Sequence, residues 1–445
     1  MKLLNEKQKS ILVTVLFLSA FFLFFAKFYI IPKNLQPKNT QHNIDINVAF
    51  KETVLPSDIL FYLGNNQIAK DVKDSERYFQ EIVSLLNESI TVSNKPVFFE
   101  KQTFPFSQNK KGVELIFSPE TNANFVSMSL FGKENYFVGL STISKIYIPS
   151  VDNKSIYVQG KEGYLQFDTK DYNQFPFLDK IKTSDHKIYY TLNFLFKSKS
   201  YAVISNDTVK NLAIYQTETL LNPDMQEQIA KTLFAKKYDL LNKIVETDGK
   251  YIYTYNYGQQ ILRISPQGGI EYINENFSPE NTAVTGQFHT AVDFMTKIGY
   301  TLSDVELHHY EPIRIHGIPG TKFVFKHIFI DLPIDSKNNF YNIEVSVVGE
   351  DVYKFYGYQY KFSDIFLNEP ESVQTSFELL DSLYLTVKKQ YPSLDNISFF
   401  DAIDEIKTVY WMNEDFSLTP CYRITWNQKN YYLNIYTKEV LYELE

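Results

Sequence analysis

An apolar run near the N-terminus constrains this chain more than any other feature. From Ile11 to Ile31 the residues are apolar except at Thr14, Ser19, Ala20, Ala26 and Lys27, which are small, polar or charged. At 1.5 Å per residue, a helix of this length spans about 30 Å, the thickness of the hydrocarbon core of a bilayer. The sequence therefore predicts one transmembrane helix over residues 10–31.

The residues that flank this run predict its orientation. Lys2, Lys7 and Lys9 precede it, and cationic flanks stay on the cytoplasmic side of a membrane. We therefore expect residues 1–9 in the cytoplasm, a linker over 32–44, and an extracytoplasmic body held at the cell membrane by a single pass. A cleaved signal peptide is the alternative, but the run is long for one and ends in bulky residues, Phe28, Tyr29 and Ile30, instead of a small-residue cleavage site.

The composition of the chain indicates its fold class. Of 445 residues, 44% are hydrophobic and 16% aromatic. This length predicts two to four domains, and abundant Tyr and Phe favour β-sheets with half-exposed faces. We predict an α+β fold, with a single N-terminal transmembrane helix followed by β-rich domains.

Charge and cysteine content exclude several classes of function. The net charge of -8 provides no cationic surface for phosphates, so we expect no nucleic acid partner. Cys421 is the single cysteine, which excludes an internal disulfide framework and a thiolate metal cluster. We interpret it as a small buried hydrophobic residue.

The first domain is predicted over residues 45–215. Apolar residues recur at helical spacing between Val72 and Ile90, after Asp74 as a cap. Strand-like runs follow, separated by Gly, Pro, Asn and Asp, at 113–117, 145–148, 155–158 and 188–196.

The central domain is predicted over residues 216–365. Asn222-Pro223-Asp224 is a typical helix start, with a capping Asn, Pro at the first position and an acid in the first turn, and apolar spacing carries this helix to Ile244. A second helix is predicted over 286–298. The strands comprise a three-stranded meander at 251–257, 261–264 and 270–273, and further strands at 322–330, 341–347 and 351–360.

The C-terminal domain, residues 366–445, repeats this order. Helices are predicted over 374–390 and 399–408, and strands at 422–426, 431–436 and 439–442. Segments 341–352 and 432–440 both read as a strand, a polar turn with an acid, and a strand. We therefore expect the last two domains to resemble each other, each with a helix packed on an antiparallel sheet.

Several of these segments resemble the YycH family of regulatory proteins and, more distantly, the related YycI. They are patterns of strands and turns without a catalytic signature: Val54–Ile59, Gly112–Phe117, Ile146–Pro149, Tyr257–Ile264, Ile270–Asn274, Pro420–Ile424, Tyr431–Asn434 and Thr437–Val440. The last three look like the terminal hairpin of both families. The chain departs from the family in its tyrosine run at 251–257, where members often carry more charge, and in its Asn-rich linker.

The resemblance implies a function. Members of the family lie beside the sensor histidine kinase of the YycFG (WalRK) cell-wall two-component system, cross the membrane once and adjust the kinase together with the YycI-like protein. The implied role is a non-enzymatic regulator without a cofactor, whose partners are a sensor histidine kinase, a YycI-like membrane protein and the lipid bilayer. The sign of regulation is not implied, and the sequence leaves open whether the chain also forms a homodimer.

Three positions of the predicted membrane helix are candidate contacts for a kinase helix. Membrane helices associate through small residues and a few polar contacts, and Thr14, Ser19 and Ala20 are small or polar. The alternative is that they are tolerated in a lipid-facing anchor, since Thr14 lies about 140° from Ser19 on the helical wheel and the three form no stripe.

An unrelated class of function is a cell-wall enzyme or a glycan-binding module. Ser107 and Lys110 match the SxxK pattern of penicillin-binding enzymes, but they lie in a loop without a KTG or SDN partner. Asp401, Asp404 and Glu405 would share one side of the helix predicted over 399–408, and Glu369 and Glu371 flank Pro370, so these acids could pair for glycoside cleavage. Solvated faces explain both groups better, and no catalytic residue is assigned.

Histidines and aromatic strands leave two further alternatives. His289, His308, His309, His316 and His327 lie close together in the sequence. On a strand His308 and His309 would point to opposite faces, which argues against a metal site and for surface or hydrogen-bonded histidines, with a pH-tuned interface as a second option. The aromatic runs at 251–257 and 353–360 are typical of a core, and any exposed half would be a docking surface for protein or glycan.

Overall fold

The computed structural model describes residues 44–70, 75–92, 96–100, 110–150, 155–168, 178, 181, 187–205, 212–219, 221–277, 282–366 and 373–444. All of them belong to one compact unit, Ile44–Glu445. The transmembrane helix predicted over 10–31 and the candidate contacts Thr14, Ser19 and Ala20 lie outside these residues. Of the helices in the described ranges, none combines the length and the apolar character that crossing a bilayer requires.

The body is α+β, as the composition predicts. The helices are α1 Ile46–Thr53, α2 Ser75–Val92, α3 Ala123–Phe131, α4 Leu192–Phe196, α5 Pro223–Phe234, α6 Val284–Lys297, α7 Ser376–Gln390 and α8 Asn396–Asp401. Short 3-10 turns lie at Ala235–Leu240, Leu302–Asp304 and Lys337–Asn339.

The first sheet contains nine strands of the described chain, in the order β3-β7-β6-β5-β4-β1-β2-β8-β9. They are β1 Asp58–Gly64, β2 Gln67–Lys70, β3 Val97–Glu100, β4 Lys111–Asn122, β5 Thr142–Pro149, β6 Ser155–Gln159, β7 Gly163–Asp168, β8 Lys187–Thr191 and β9 Val203–Ser205. All the pairs are antiparallel. Residues of α2 and α3, such as Ile82, Leu86 and Val126, are buried in one core with residues of this sheet.

The second sheet contains fifteen strands of the described chain, along β11-β12-β13-β14-β19-β18-β16-β17-β21-β22-β10-β20, with β15 beside β16 and with β23 and β24 beyond β22. They are β10 Tyr215–Thr219, β11 Asn242–Val245, β12 Tyr251–Tyr255, β13 Gln260–Ile264, β14 Gly269–Asn274, β15 Val305–Ile315, β16 Ile318–Phe329, β17 Leu332–Ser336, β18 Ile343–Val348, β19 Asp351–Tyr358, β20 Tyr360–Phe366, β21 Ile403–Met412, β22 Ser417–Trp426, β23 Lys429–Asn434 and β24 Val440–Leu444. A parallel pairing of β17 with β21 joins its central and C-terminal parts. The division into domains at 215 and 365 stays a prediction.

Helix α1 is the first described element, and it packs against helices from two of the predicted domains, 45–215 and 216–365. The ring of Phe50 stacks on Phe288 of α6 at 4.4 Å and tilts against Phe125 of α3 at 5.4 Å. A hydrogen bond of 2.6 Å from Ser129 Oγ to the Val54 carbonyl holds the end of this segment on α3. Helix α1 therefore packs between α3 and α6.

Many predicted elements are confirmed. The Asn222 side chain caps α5 by accepting a hydrogen bond of 2.9 Å from the Met225 amide. Helix α6 buries its predicted apolar face, Phe288, Ala291, Val292 and Met295. Cys421 is buried, as interpreted.

Three predicted elements are wrong in their extent. The run 188–196 is strand only to Thr191, whose hydroxyl caps α4. Helix α5 stops at Phe234 and gives way to a 3-10 turn and β11, so the meander has a fourth strand. The helix predicted over 399–408 ends at Asp401, and β21 begins at Ile403. An irregularity in the pairing of β21 with β22, between Ile403 and Glu405, brings Ile403 and Ile406 into one buried cluster, and their spacing of three residues imitates a helix.

Candidate functional site

A buried carboxylate lies at the centre of the most extensive charge network in the described chain. Asp335 of β17 is 1% exposed. It accepts hydrogen bonds from Arg423 Nη1 at 2.8 Å, from the Tyr432 hydroxyl at 3.1 Å, and from Lys326 Nζ. Four strands of the second sheet, β16, β17, β22 and β23, thus supply one site.

The network continues from this centre to the first sheet. Arg423 also donates to Glu405 at 2.9 Å, and Glu405 pairs with Lys407 at 2.8 Å. Lys407 lies 3.7 Å from Asp58 of β1, which pairs with Lys70 at 2.6 Å. An unbroken chain of ion pairs therefore links the two sheets.

The charged groups of the network shift one another's pKa values strongly. Burial alone would raise the pKa of Asp335, but Lys326 and Arg423 outweigh it and hold that pKa well below its usual range. The same balance, with Lys407 and Arg423, lowers the pKa of Glu405 to about 2. Burial raises the pKa of the nearby Glu306 despite the charge of Lys326.

The arrangement suits a structural junction better than proton transfer. Asp335 and Glu405 are tightly paired anions, with pKa values far from neutral pH. Desolvation makes buried ion pairs weak sources of net stability, while removal of one partner is costly. We interpret the network as a structural feature that fixes the position of the two sheets relative to each other.

Sequence reasoning missed this network because its members are far apart in the chain. Three of them do lie in segments that carry the family resemblance: Asp58 in Val54–Ile59, Arg423 in Pro420–Ile424 and Tyr432 in Tyr431–Asn434. A charged residue amid an apolar strand was the available signal, since such a residue needs a buried partner.

The five histidines do not converge on a site. His289 Nε2 lies 2.8 Å from the Ile44 carbonyl oxygen, and His316 Nε2 lies 3.1 Å from Glu275. In the described ranges, no group of three or more His, Cys, Asp or Glu side chains is arranged to hold a metal ion. Burial, helped by Lys326, lowers the pKa of His308 to about 3, and burial lowers that of His327 to about 4. These two are therefore neutral at pH 6 in the folded protein.

The acids considered for glycoside cleavage are not brought together. Asp401 accepts a hydrogen bond of 2.7 Å from the Lys199 amide, Asp404 is exposed, and Glu405 belongs to the ion network. Glu369, Glu371 and Ser107 of the SxxK match lie outside the described residues.

The aromatic strands are mainly core, as predicted. Tyr253 and Phe355 are buried in the core beneath the meander. Tyr358 and Tyr360 stack at 5.6 Å within a second core. Tyr257 alone of the first run is fully exposed, on the turn between β12 and β13.

A shallow groove of about 340 Å³ lies where α3 and the loop before β5 meet Tyr310 of β15. Its lining includes Asn122, Asn124 and Asn135. Asn122 Nδ2 donates to the Tyr310 hydroxyl at 2.9 Å, and Asn124 Oδ1 accepts from the Asn135 amide at 3.1 Å. Amides and a phenol can hydrogen-bond hydroxyl groups, whereas general acid–base chemistry would need a titratable pair that this lining does not include.

One solved structure matches most of the body. The crystal structure of YycH from Bacillus subtilis superposes with a TM-score of 0.57 and 16% sequence identity, over 86% of this chain and 96% of that chain. The chain has the YycH fold. The resemblance seen in the sequence is thus confirmed at the level of the fold.

The remaining comparisons with known proteins give a weaker match or none. The C-terminal domain of YpeB from Bacillus megaterium is similar with a TM-score of 0.31 and 12% identity, over 51% of this chain and 99% of that chain. No family model and no curated protein matches the sequence.

Proposed function

We propose that this protein is a non-enzymatic regulator of the sensor histidine kinase of a cell-wall two-component system. In this proposal, helix 10–31 anchors it in the cell membrane, and it acts through contacts of that helix and of its extracytoplasmic body, together with a YycI-like membrane protein. The observation that carries the proposal is the YycH fold over most of the chain. The segments that resemble the YycH family add support.

The physics of the membrane allows such regulation. A single span that packs against a kinase helix can favour one of two kinase states by a few kcal/mol, since a partner shifts an equilibrium by its differential affinity for the two states. Thr14, Ser19 and Ala20 remain the proposed contact positions.

The first test is co-purification from membranes in mild detergent. We would compare the tagged full-length chain with a variant in which residues 11–31 are replaced by an unrelated apolar helix that keeps Lys2, Lys7 and Lys9. This swap preserves the anchor, which a deletion would not. Recovery of a sensor histidine kinase with the native chain but not with the swap supports a contact through the helix.

The other outcomes are equally informative. Kinase recovered with both chains places the main contact in the body, and a triple Thr14→Leu, Ser19→Leu, Ala20→Leu variant should then bind like the native chain. Absence of the kinase in both samples, with wall fragments recovered in its place, contradicts the proposal.

A glycan-binding module is the second candidate, and the groove beside Tyr310 favours it. Titration with soluble peptidoglycan fragments should then shift the resonances of groove residues. Asn124→Ala should weaken that binding, whereas Asn434→Ala, at the end of β23 in the second sheet, should not.

A further inference from the structure

The second sheet ends in an exposed strand. Within the described part of the chain, β11 pairs with β12 on one side and with no strand on the other. All four of its residues, Asn242–Val245, are exposed. Unpaired strand edges offer a template for another strand.

The ladder determines which backbone groups are free. The Glu246 amide donates to the Lys250 carbonyl at 2.9 Å, so Glu246 faces β12. Orientation alternates along an antiparallel strand, and therefore Ile244 and Asn242 also face β12. Lys243 and Val245 direct their N–H and C=O groups outward.

Exposed apolar side chains lie on and beside this edge, among charged ones such as Asp239 and Glu246. Ile244 is 51% exposed and Val245 55%, and the nearby Leu240 and Tyr257 are more exposed still. Edge strands are normally guarded by charge, proline or bulges. Here the Lys243 ammonium lies over the rings of Tyr251 and Tyr253 at 5.0 and 5.6 Å, so its charge is directed at the neighbouring strand.

We infer that a second copy of this chain docks on β11, antiparallel, with Ile244 at a two-fold axis. Lys243 of each copy then pairs with Val245 of the other, and their outward groups form four backbone hydrogen bonds. The two Ile244 side chains meet at the close, non-hydrogen-bonded spacing of about 4.5 Å between Cα atoms.

The side chains select this register and this partner. A register centred on Lys243 would oppose two ammonium groups, and one centred on Val245 would oppose Ile244 to Glu246. Centred on Ile244, the pairing opposes Glu246 to Asn242 and places no like charges opposite each other. The edge thus complements itself, and anchoring of both copies in one membrane would raise their effective concentration. This dimer does not depend on the proposed kinase contact. An experiment that rejects the dimer would therefore leave the kinase proposal standing.

Disulfide trapping in the full-length chain tests the register. Under mild oxidation of membranes, Ile244→Cys should yield roughly ten-fold more linked dimer than Lys243→Cys or Val245→Cys, because only residue 244 faces its own copy. Val138→Cys, on an exposed loop of the first sheet, gives the collision background, and buried Cys421 is common to all variants. Equal trapping at all positions, no trapping above Val138→Cys, or linkage of Ile244→Cys to a different protein overturns the inference.

A non-covalent measurement guards against artefacts of the added thiol. Val245→Pro removes an outward N–H without touching the β11–β12 bonds, and Ile244→Lys opposes two ammonium groups at the axis. Both should halve the mass by light scattering in detergent, while Ile397→Lys, an exposed change on α8, should leave the dimer intact. A native chain that is monomeric at every concentration, or a dimer that survives both changes, rejects the proposal.

Discussion

Arg423 and Asp335 lie 88 positions apart, yet the Arg423 guanidinium donates to the Asp335 carboxylate at 2.8 Å in the interior of the second sheet. The contact joins β22 to β17 across β21. Arg423 also holds Glu405, and through Lys407 the contact extends to Asp58 of the first sheet.

Removal of this guanidinium should be costly. Arg423→Met leaves Asp335 buried with fewer partners, and we expect a loss of about 3 kcal/mol in unfolding free energy. The two tryptophans of the chain, Trp411 and Trp426, lie on β21 and β22 and report on this region by fluorescence during urea unfolding.

Arg263→Met is the matched control. Arg263 pairs with Glu271 at 2.7 Å, but its side chain is more than one-third exposed, so the cost should stay below about 1 kcal/mol. Equal losses in the two variants would mean that the network does not stabilise the junction.

Helix α1 should behave as a shared element of the two sheets. Phe50→Ala removes a fully buried ring from between Phe125 and Phe288, which we expect to cost about 3–5 kcal/mol. Hydrogen exchange should then rise in both α3 and α6. Val48→Ala, an exposed change in the same helix, should leave both protected, and exchange that rises in only one of them would contradict a shared role.

The sequence predicted local features far better than distant contacts. The start of α5 was readable because Asn222, Pro223 and Asp224 act within one turn. The end of the predicted helix 399–408 was not, since the irregular pairing that brings Ile403 and Ile406 into one cluster depends on β22, which lies outside that segment. The Asp335 network was out of reach for the same reason, because its partners come from four strands and the first sheet. The spacing of apolar side chains indicates which residues are buried, but not which elements of the chain pack against them.

His327 should make stability depend on pH between about 4 and 6.5. Burial lowers its folded pKa to about 4, while the unfolded chain has the ordinary value of about 6.5. Over this range the unfolded state binds more protons than the folded state. The contribution of His327 to the unfolding free energy is therefore fully present above pH 6.5 and falls as the pH approaches 4, by at most about 3 kcal/mol.

The measurement is the urea midpoint at several pH values from 4.5 to 7.5. His327→Phe should remove the share of His327 and leave that of His308, so the slope should fall without vanishing. Phe fits the aromatic surroundings of Tyr300 and Tyr360 and has no proton to bind. An unchanged slope in His327→Phe would assign the dependence to other groups.

Substitutions in the turn between β16 and β17 should stabilise the folded protein. Ile330 and Asp331 form its two-residue loop, with φ of 50° and 60°. A β-branched residue is strained at positive φ. The hairpin turns at Asn65-Asn66 and Asn427-Gln428 have the same pair of positive φ values, and both begin with Asn, which tolerates this conformation.

Ile330→Asn should therefore raise the unfolding free energy by about 1 kcal/mol, because relief of backbone strain outweighs the little burial that a 43% exposed side chain loses. Asp331→Gly should act in the same direction. Ile397→Asn, a similar change at an exposed helical position, should be neutral or destabilising. If Ile330→Asn instead destabilised the protein, the Ile330 side chain would have to make contacts that its exposure conceals, and the hairpin tip would become a candidate docking point in its own right.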